Sequence, residues 1–285
     1  MTEIFQLCSV VTENDFIENS NYRYDDNSYT ANIKFDGERI MAKCEDGEVI
    51  LINRNMRACN SNFPEIVDEL KKLKGNFILD GEIISKDDDF NKLQRRALTK
   101  DKAKQKELVK EIPVKFMVFD ILKYVDNHTK AEQLKDRIKY LGKFESKINE
   151  FSIDKELIEV AEFLKPKEMY DKARLEDREG IVIKHLHYPY REGRTQIWFK
   201  VKFFEEEIFE AISYTENPKG IRVEDKNGNS CQISSNFKKV KELINKDGKA
   251  LINIQFLEKT KDNKYRFPSY RGMVKSGEDE EDDDD

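Results

Sequence analysis

The sequence predicts an α+β protein of two domains, in which antiparallel sheets with flanking helices precede a small β-barrel. The 285 residues give room for one large or two modest domains, since a typical domain holds about 100–200 residues. Short apolar strands alternate with charged helices until about residue 205, where the pattern changes to short strands with one helix. We therefore expect a first domain over residues 1–204 and a second over residues 205–276.

The composition indicates a globular protein with a highly charged surface. Hydrophobic residues make up 38% of the chain and charged residues another 38%, which allows a core to form. No apolar run approaches the roughly 18–20 residues that span a bilayer, and the acidic first twenty residues do not match a secretory signal. The four cysteines form no CxxC pair, so we expect reduced thiols, without a zinc ribbon or a disulfide scaffold.

The formal net charge of −6 arises from the C-terminus. The last eight residues are all acidic, and without them 51 basic side chains stand against 49 acidic ones, a net charge of +2. Runs of like charge usually stay solvated, so we expect residues 277–285 to be a disordered, solubilising tail. The functional alternative is a nucleic-acid mimic that competes for a basic groove.

The elements of the first domain follow from turn residues and apolar spacing. Asp46-Gly47 lies between strand-like runs in residues 42–52, which predicts a β-hairpin. Residues 64–74 begin with proline and place apolar side chains on one helical face before Gly75, which predicts a helix. Residues 90–111 form a basic helical stretch that contacts a nucleic-acid backbone or remains solvated. Four further runs combine strand-forming residues with polar ones, which indicates strands that line a site. They are residues 77–84, 114–122, 180–184 and 197–201.

The second domain is predicted from a series of short strands. We expect strands near residues 209–214, 221–224, 231–234 and 251–258, and a helix near residues 237–245. About five strands with one helix are typical of an OB-like barrel.

The strongest functional signal is Lys34-Phe35-Asp36-Gly37-Glu38-Arg39. Strand alternation followed by a tight glycine turn can place the lysine, the aspartate and the arginine around one pocket. A single hexapeptide of this kind is at least as often a charged β-turn. Four ordered blocks after it favour a site. They are Leu79-Asp80-Gly81-Glu82, Phe116-Met117-Val118-Phe119-Asp120, Glu179-Gly180-Ile181-Val182-Ile183-Lys184 and Trp198-Phe199-Lys200-Val201-Lys202.

These blocks resemble, in type and order, motifs I, III, IIIa, IV and V of the covalent nucleotidyltransferases. Within that superfamily the chain is similar to the minimal ATP-dependent DNA ligases of viral or phage type. The resemblance covers nearly the whole chain, because it extends to Tyr190-Arg191-Glu192-Gly193-Arg194 and to a segment like motif VI, Arg266-Phe267-Pro268-Ser269-Tyr270-Arg271-Gly272. It implies a nucleotidyltransferase (adenylation) domain followed by an OB-fold domain. It also implies sealing of 5′-phosphate/3′-hydroxyl nicks in duplex DNA through lysyl-AMP and DNA-adenylate.

The resemblance implies that Lys34 is the nucleophile that attacks the α-phosphorus of ATP. The attack requires a deprotonated amine, whereas an ordinary lysine with a pKa of about 10.4 is mostly protonated at neutral pH. Three neighbouring cations, Lys184, Lys200 and Lys202, would disfavour the charged form of this amine together with Mg²⁺. The same cations would neutralise the phosphates.

The resemblance also implies roles for two carboxylates and an aromatic ring. Glu179 is expected near Mg²⁺, and Glu82 near the metal or the ribose, because Mg²⁺ prefers carboxylate oxygens; Mn²⁺ can substitute. Phe119 is expected to stack on adenine, although an isolated phenylalanine in an apolar strand is more often part of the core. Either carboxylate could instead be a salt-bridge partner.

Contacts with the nick are implied for three residues. Asp36 and Arg39 resemble residues that engage the 3′-hydroxyl side, and Arg54 resembles the arginine that grips the 5′-phosphate with its bidentate fork; as an isolated residue Arg54 could equally be a surface cation. The catalytic set is therefore Lys34, Asp36, Arg39, Lys200 and Lys202. The nucleotide-binding set is Ile33, Lys34, Glu82, Phe119, Lys184, Lys200, Lys202 and Arg266, the metal ligands are Glu179 and Glu82, and the DNA-binding residues are Arg39 and Arg54.

One position departs from the family pattern. Many relatives carry a second arginine a few residues after the RFP tripeptide, whereas Val274 occupies that position here. The chain offers Arg271, Val274 and Lys275 in this region, so the residue that orients pyrophosphate is left open.

Two other functions are compatible with these motifs. An mRNA-capping guanylyltransferase or an RNA ligase uses the same lysine chemistry, and an inactive nucleic-acid-binding protein could retain the same frame. The RFPSYRG and YREGR segments favour the DNA ligase. We expect a monomer that binds ATP, Mg²⁺ and nicked duplex DNA and no membrane. Its expected location is intracellular: the cytoplasm, or the host cytoplasm or nucleus for a viral protein.

Overall fold

The computed structural model describes residues 5–19, 24, 27–235, 237–260 and 262–274. The chain divides into two compact units, residues 1–202 and residues 203–285, and each unit has its own hydrophobic core. The division lies two residues before the predicted start of the second domain. Within the ranges described, no helix is both long and apolar enough to cross a membrane. The predicted acidic tail lies outside the described residues.

Unit 1 combines strands from both ends of its sequence with helices from the middle. In chain order, its elements are β1 (Gln6–Val11), α1 (Glu13–Asn19), β2 (Tyr29–Ile33), β3 (Glu38–Glu45), β4 (Glu48–Asn53), α2 (Pro64–Lys71), β5 (Phe77–Ser85), α3 (Phe90–Leu98), α4 (Lys102–Glu111), β6 (Val114–Tyr124), β7 (Asn127–His128), α5 (Leu134–Glu150), β8 (Ile158–Val160), α6 (Pro166–Leu175), β9 (Gly180–His185) and β10 (Gly193–Lys202).

Two sheets form the frame of unit 1. The smaller has the order β1-β10-β9-β2, and the larger has the order β4-β3-β5-β6-β7 with β8 beside β6. Most pairings are antiparallel, as the sequence predicts, but β1 pairs with β10 and β6 pairs with β8 in parallel. Parallel neighbours need long crossover connections, and the long stretches of chain between these partners provide them.

The functional motifs lie where the two sheets approach each other. A small apolar cluster joins Met41 and Phe119 of the larger sheet to Trp198 of the smaller one, with Phe5 and Tyr190 beside them. The main core lies on the other part of the larger sheet, where α2 and α5 cover it. The motif strands are therefore held by packing on both sides.

The predicted elements of unit 1 are observed with two corrections. The hairpin forms as predicted, and Asp46 and Gly47 both have positive φ (52° and 83°), as a type I′ turn requires. The helix predicted over residues 64–74 ends at Lys71. The basic stretch of residues 90–111 is two helices, because Asp101 accepts a hydrogen bond from the backbone N–H of Lys104 and begins α4 as a new helix.

Unit 2 is a six-stranded sheet with one helix among its described residues. The elements are β11 (Glu205–Ala211), β12 (Ser213–Asn217), β13 (Gly220–Glu224), β14 (Ser230–Ile233), α7 (Phe237–Asp247), β15 (Ala250–Phe256) and β16 (Ser269–Met273), in the sheet order β11-β15-β16-β14-β13-β12. The strand predicted over residues 209–214 is two strands that break at Ile212, and β16 was not predicted. The OB-fold assignment of this unit stays a prediction.

A buried ion pair anchors α5 to the strand that carries Phe119. Arg137 donates to both carboxylate oxygens of Asp120 at 2.7 and 2.9 Å, and neither side chain is exposed. Arg137 also donates to the carbonyl oxygen of Glu132 at 2.7 Å. Since Asp120 follows Phe119 directly, this pair fixes the middle of β6 next to the site.

We predict that Arg137→Met lowers the free energy of unfolding by about 3–5 kcal/mol, because it leaves the Asp120 carboxylate buried without its partner. Chemical denaturation measures the loss. Lys139→Met, on the same helix but with an exposed side chain, is the control and should change stability by less than about 1 kcal/mol. Similar losses in the two variants would contradict this role of the buried pair.

Candidate active site

Close backbone packing positions the loop that carries Lys34. The lysine follows β2 directly, and its backbone N–H donates to the carbonyl oxygen of Gly180 at 2.8 Å. A Cβ atom at Gly37 would lie 2.2 Å from the carbonyl oxygen of Ile83, and one at Gly180 would lie 2.1 Å from that of Val201. Only glycine allows this approach, which explains the glycines beside Lys34 and Glu179.

Glu179 links two of the predicted lysines. The Lys34 amine donates to one oxygen of the carboxylate, and the Lys202 amine lies 2.6 Å from the other. Burial acts to raise the pKa of Glu179, but the two lysines outweigh it and hold the pKa below its usual value. Lys34, the candidate nucleophile, is thus paired with an ionised carboxylate. From the sequence, only cations were expected beside this amine, and the pair was not predicted.

Lys200 completes a cluster of positive charge. Burial, then Lys202 and Lys34, lower its pKa from the usual lysine value. Lys200 therefore lies within electrostatic range of the two lysines that contact Glu179. Such an excess of positive charge favours an anionic ligand.

Arg39 belongs to a buried polar network. Its guanidinium donates to both oxygens of Asp80 at 2.6 and 2.7 Å, and the Tyr190 hydroxyl donates to the same carboxylate at 2.6 Å. The Tyr190 hydroxyl accepts in turn from the backbone N–H of Gln6 at 2.9 Å. The predicted contact of Arg39 with DNA stays a prediction, because in this structure its fork is engaged with Asp80.

Lys184 and Phe119 lie together in the interior. The Lys184 amine is 4.4 Å from the ring centroids of both Phe119 and Trp198, and it donates to the carbonyl oxygen of Phe119 at 3.2 Å. Burial lowers the pKa of Lys184 to about 7, against a raising effect of Asp120. The Arg39 guanidinium lies 4.6 Å from the same Phe119 ring. Adenine stacking on this ring requires rearrangement of these cations.

Glu82 lies opposite Arg39 in the pairing of β3 with β5. Burial raises its pKa to about 8, although Arg39 and Lys34 act to lower it. The carboxyl group is therefore mainly protonated at neutral pH. The described residues contain no cluster of three or more metal-ligating side chains, so a metal here would depend on further ligands.

The other predicted site residues occupy separate positions. Arg54 is exposed in the loop after β4, where the Asn53 side chain accepts from two backbone N–H groups and shapes the turn. Asp36 is half-buried between β2 and β3, and Ile33 pairs with Ile181. Arg266 belongs to unit 2, where its guanidinium donates to Glu258 at 2.7 Å.

The sequence analysis missed Asn32 as a site candidate. Its side-chain nitrogen donates to the carbonyl oxygen of Glu162 at 2.5 Å. Its Oδ1 atom is buried and has no hydrogen-bond partner in the described part of the chain. Asn32 precedes Lys34 by two residues, and residues two apart in an extended segment lie on the same face. This spacing could have indicated Asn32 from the sequence.

A family model described as the ATP dependent DNA ligase domain matches residues 7–202, the region that contains the Lys34–Glu179–Lys202 cluster. The chain belongs to the ATP-dependent DNA ligase family. A DNA ligase of Archaeoglobus fulgidus is 35% identical over 178 residues, which are 59% of this chain and 31% of that protein. The chain thus spans about a third of the length of the curated relatives that it matches.

Solved ligase structures share the fold over nearly the whole chain. A Lig E DNA ligase aligns with a TM-score of 0.64 and 18% identity, covering 96% of this chain and all of its own. Chlorella virus DNA ligase-adenylate aligns with a TM-score of 0.52 and 16% identity, covering 97% of this chain and 99% of its own. The chain therefore has a mixed α/β fold similar to that of solved ATP-dependent ligases.

We predict that Lys184→Met raises the melting temperature at pH 6 by about 5 °C, and that the difference shrinks as the pH rises to 9. The pKa of Lys184 is lower in the folded than in the unfolded chain. The unfolded chain therefore binds more protons between pH 7 and about 10.4, and stability increases with pH across that window. Thermal unfolding at several pH values measures this.

Lys106→Met is the matched control, because Lys106 is exposed on α4. It should leave the dependence of melting temperature on pH unchanged. A wild-type and a Lys184→Met curve that stay parallel from pH 6 to 9 would show that the buried amine does not titrate in this range.

Proposed function

We propose that this chain is an ATP-dependent DNA ligase that seals nicks between a 5′-phosphate and a 3′-hydroxyl in duplex DNA. The observation that carries the proposal is the pairing of Glu179 with Lys34 and Lys202, with Lys200 in electrostatic range of both lysines, within the matched ligase domain. We assign Lys34 as the nucleophile. In the first step its amine nitrogen bonds to the α-phosphorus of ATP, the bond to the β-phosphate oxygen breaks, and pyrophosphate leaves.

The charges around Lys34 support this step. The ion pair between Lys34 and Glu179 must break before the amine can attack. The negative charge of a bound triphosphate competes with Glu179 for the lysines and so favours breaking this pair. When the phosphates bind Lys200 and Lys202, they neutralise the charge of Lys202 in place of Glu179. The same cations offset charge that develops on the phosphoryl oxygens. Lys34 loses its proton to solvent before it attacks, and Glu179 remains ionised.

The chemistry of the donor set fits Mg²⁺ only together with the nucleotide. Mg²⁺ binds through one or two carboxylates plus substrate phosphates, and Glu179 supplies an ionised carboxylate beside the phosphate-binding lysines. Glu82 would serve as a second ligand after it loses its proton. When bound, the metal ion would supply charge neutralisation at the phosphates.

Phe119 and Asn32 support adenine as the base. Phe119 offers a ring for stacking after the neighbouring cations shift, as the sequence predicts. The unpartnered Oδ1 of Asn32 is a hydrogen-bond acceptor, which suits the exocyclic amino group of adenine. In guanine the corresponding position carries a carbonyl oxygen, and two acceptors would face each other without a hydrogen bond.

The later steps use the exposed loop and the second unit. AMP passes from Lys34 to the 5′-phosphate of the nick, and the 3′-hydroxyl then displaces it and forms the phosphodiester. Arg54 is exposed and can meet the 5′-phosphate with a bidentate fork, and Asp36 and Arg39 act on the 3′-hydroxyl side. We assign unit 2 as an OB-fold, supported by its six strands and single helix, with Arg266 in the motif VI role. We propose that the protein acts as an intracellular monomer.

We predict that Lys34→Arg abolishes the covalent adduct with labelled ATP and lowers nick sealing by at least about 10³-fold. Arginine keeps the positive charge beside Glu179 but is not deprotonated at neutral pH. Labelled protein resolved under denaturing conditions, without DNA, measures the adduct, and a singly nicked duplex with ATP and Mg²⁺ measures sealing. Lys106→Arg, at an exposed position, should behave as wild type.

Two further arms separate the steps and the alternatives. Lys34→Arg given a nicked duplex that already carries 5′-adenylate should still join the strands, since the last step does not need the lysyl bond. A preference for labelled GTP would favour the capping activity, and sealing confined to nicked RNA would favour an RNA ligase. An adduct that persists in Lys34→Arg would overturn the assignment of the nucleophile.

A further inference from the structure

Unit 2 contains a cavity of about 320 Å³ that no role proposed above uses. Its volume is within the range of about 300–1,000 Å³ that is usual for ligand pockets. Residues from the turn between β13 and β14 and from the segment before β16 line it. Those used below are Arg222, Asn229, Ser230, Lys264, Tyr265 and Pro268.

Two cations and a hydroxyl group give the cavity an anion-binding character. The Nε atom of Arg222 donates to the Ser230 hydroxyl at 3.0 Å. Among the described residues, no acceptor contacts the terminal nitrogens of this guanidinium, which leaves its fork available. Lys264 donates to the carbonyl oxygen of Asn227 at 2.5 Å, which holds its amine over the turn.

The carboxylate nearest to these cations is occupied by the turn itself. One oxygen of Asp225 accepts from the backbone N–H groups of Asn227 and Asn229, each at 2.8 Å. The other accepts from the side-chain nitrogen of Asn229 at 2.8 Å. Asp225 therefore offsets part of the Lys264 charge through space, while its hydrogen bonds remain within the turn.

The wall of the cavity contains one unsatisfied polar atom and an apolar surface. Asn229 is 4% exposed, and its Oδ1 atom has no hydrogen-bond partner within the described residues. Buried acceptors of this kind are normally paired. An anion carries no donor for this atom, so Arg222 and Lys264, and not Asn229, would hold an anionic ligand. Tyr265 and Pro268 form the apolar side, which suits a sugar.

We propose that this cavity is a phosphate-binding subsite for the DNA strand, in which Arg222 and Lys264 grip one backbone phosphate. The inference rests on the proposed ligase function, because that function makes a phosphodiester strand the anion available to unit 2. The guanidinium of Arg222 can bind two phosphate oxygens at once, and the Lys264 amine adds a positive charge beside them. Arginine and lysine side chains commonly contact the phosphates of a DNA backbone. The sugar next to this phosphate lies against Tyr265 and Pro268.

The test measures binding of a fluorescent nicked duplex to the full chain by anisotropy at several salt concentrations. Arg222→Gln and Lys264→Gln are each expected to weaken binding, by about tenfold for Arg222→Gln. Because both residues grip the same phosphate, the double variant should lose less than the product of the two single effects. Its plot of log K against log salt should be shallower by about 0.9.

Lys239→Gln is the matched control, since it removes one charge from an exposed position of α7 that does not line the cavity. It should leave affinity within about twofold of wild type. Equal effects of Arg222→Gln and Lys239→Gln, or fully multiplicative single effects, would refute the subsite. So would a calorimetric loss of inorganic pyrophosphate binding in Arg222→Gln with DNA affinity unchanged, because the cavity would then serve the nucleotide.

Measuring the covalent ATP adduct and nick sealing in the same samples distinguishes failure of the subsite from failure of the proposed function. Wild-type protein that forms no adduct and seals no nick tells against the ligase activity. Wild-type protein that does both, with Arg222→Gln binding nicked DNA as tightly, tells against the subsite alone.

Discussion

The ion pair that Glu179 makes with Lys34 and Lys202 is the constraint on which the site depends. Glu179 carries one negative charge and contacts two lysines, so this group of three side chains keeps a positive charge. Burial makes that excess costly, as the lowered pKa of Lys200 indicates. In the proposed reaction a polyphosphate would remove this cost, so nucleotide binding and activation of the Lys34 amine would have the same electrostatic source.

Strand register brings these charges together. Lys202 lies opposite Gly180 in the pairing of β10 with β9, one residue from Glu179. The backbone N–H of Lys34 bonds to the carbonyl oxygen of that same glycine. A slip of one residue would move the side chains of β10 to the opposite face. In the larger sheet the buried Arg39–Asp80 contact ties β3 to β5.

Sequence reasoning predicted the motif residues better than their internal contacts. The order of the blocks indicated one site through its resemblance to a family motif set, whereas local turn chemistry predicted the hairpin at Asp46-Gly47, because that turn depends on short-range signals. Two features depend on strands that are distant in the chain: the bidentate pair of Arg39 with Asp80 and the environment of the unpaired Asn32 Oδ1 atom. Sequence periodicity carries no information on which distant strands become neighbours. The interruption at Asp101 was missed for a different reason: a single capping residue competed with a continuous basic pattern.

The glycine approach described at Gly37 and Gly180 restricts how this chemistry can be varied. Main-chain carbonyls stand where any side-chain carbon would have to go, so neither position tolerates even alanine without displacing a strand. The loop that carries Lys34, the proposed nucleophile, is therefore held by close backbone contacts. Substitutions that alter substrate preference or reaction rate are therefore expected at residues around the loop. Substitutions at Gly37 and Gly180 would disrupt the backbone packing.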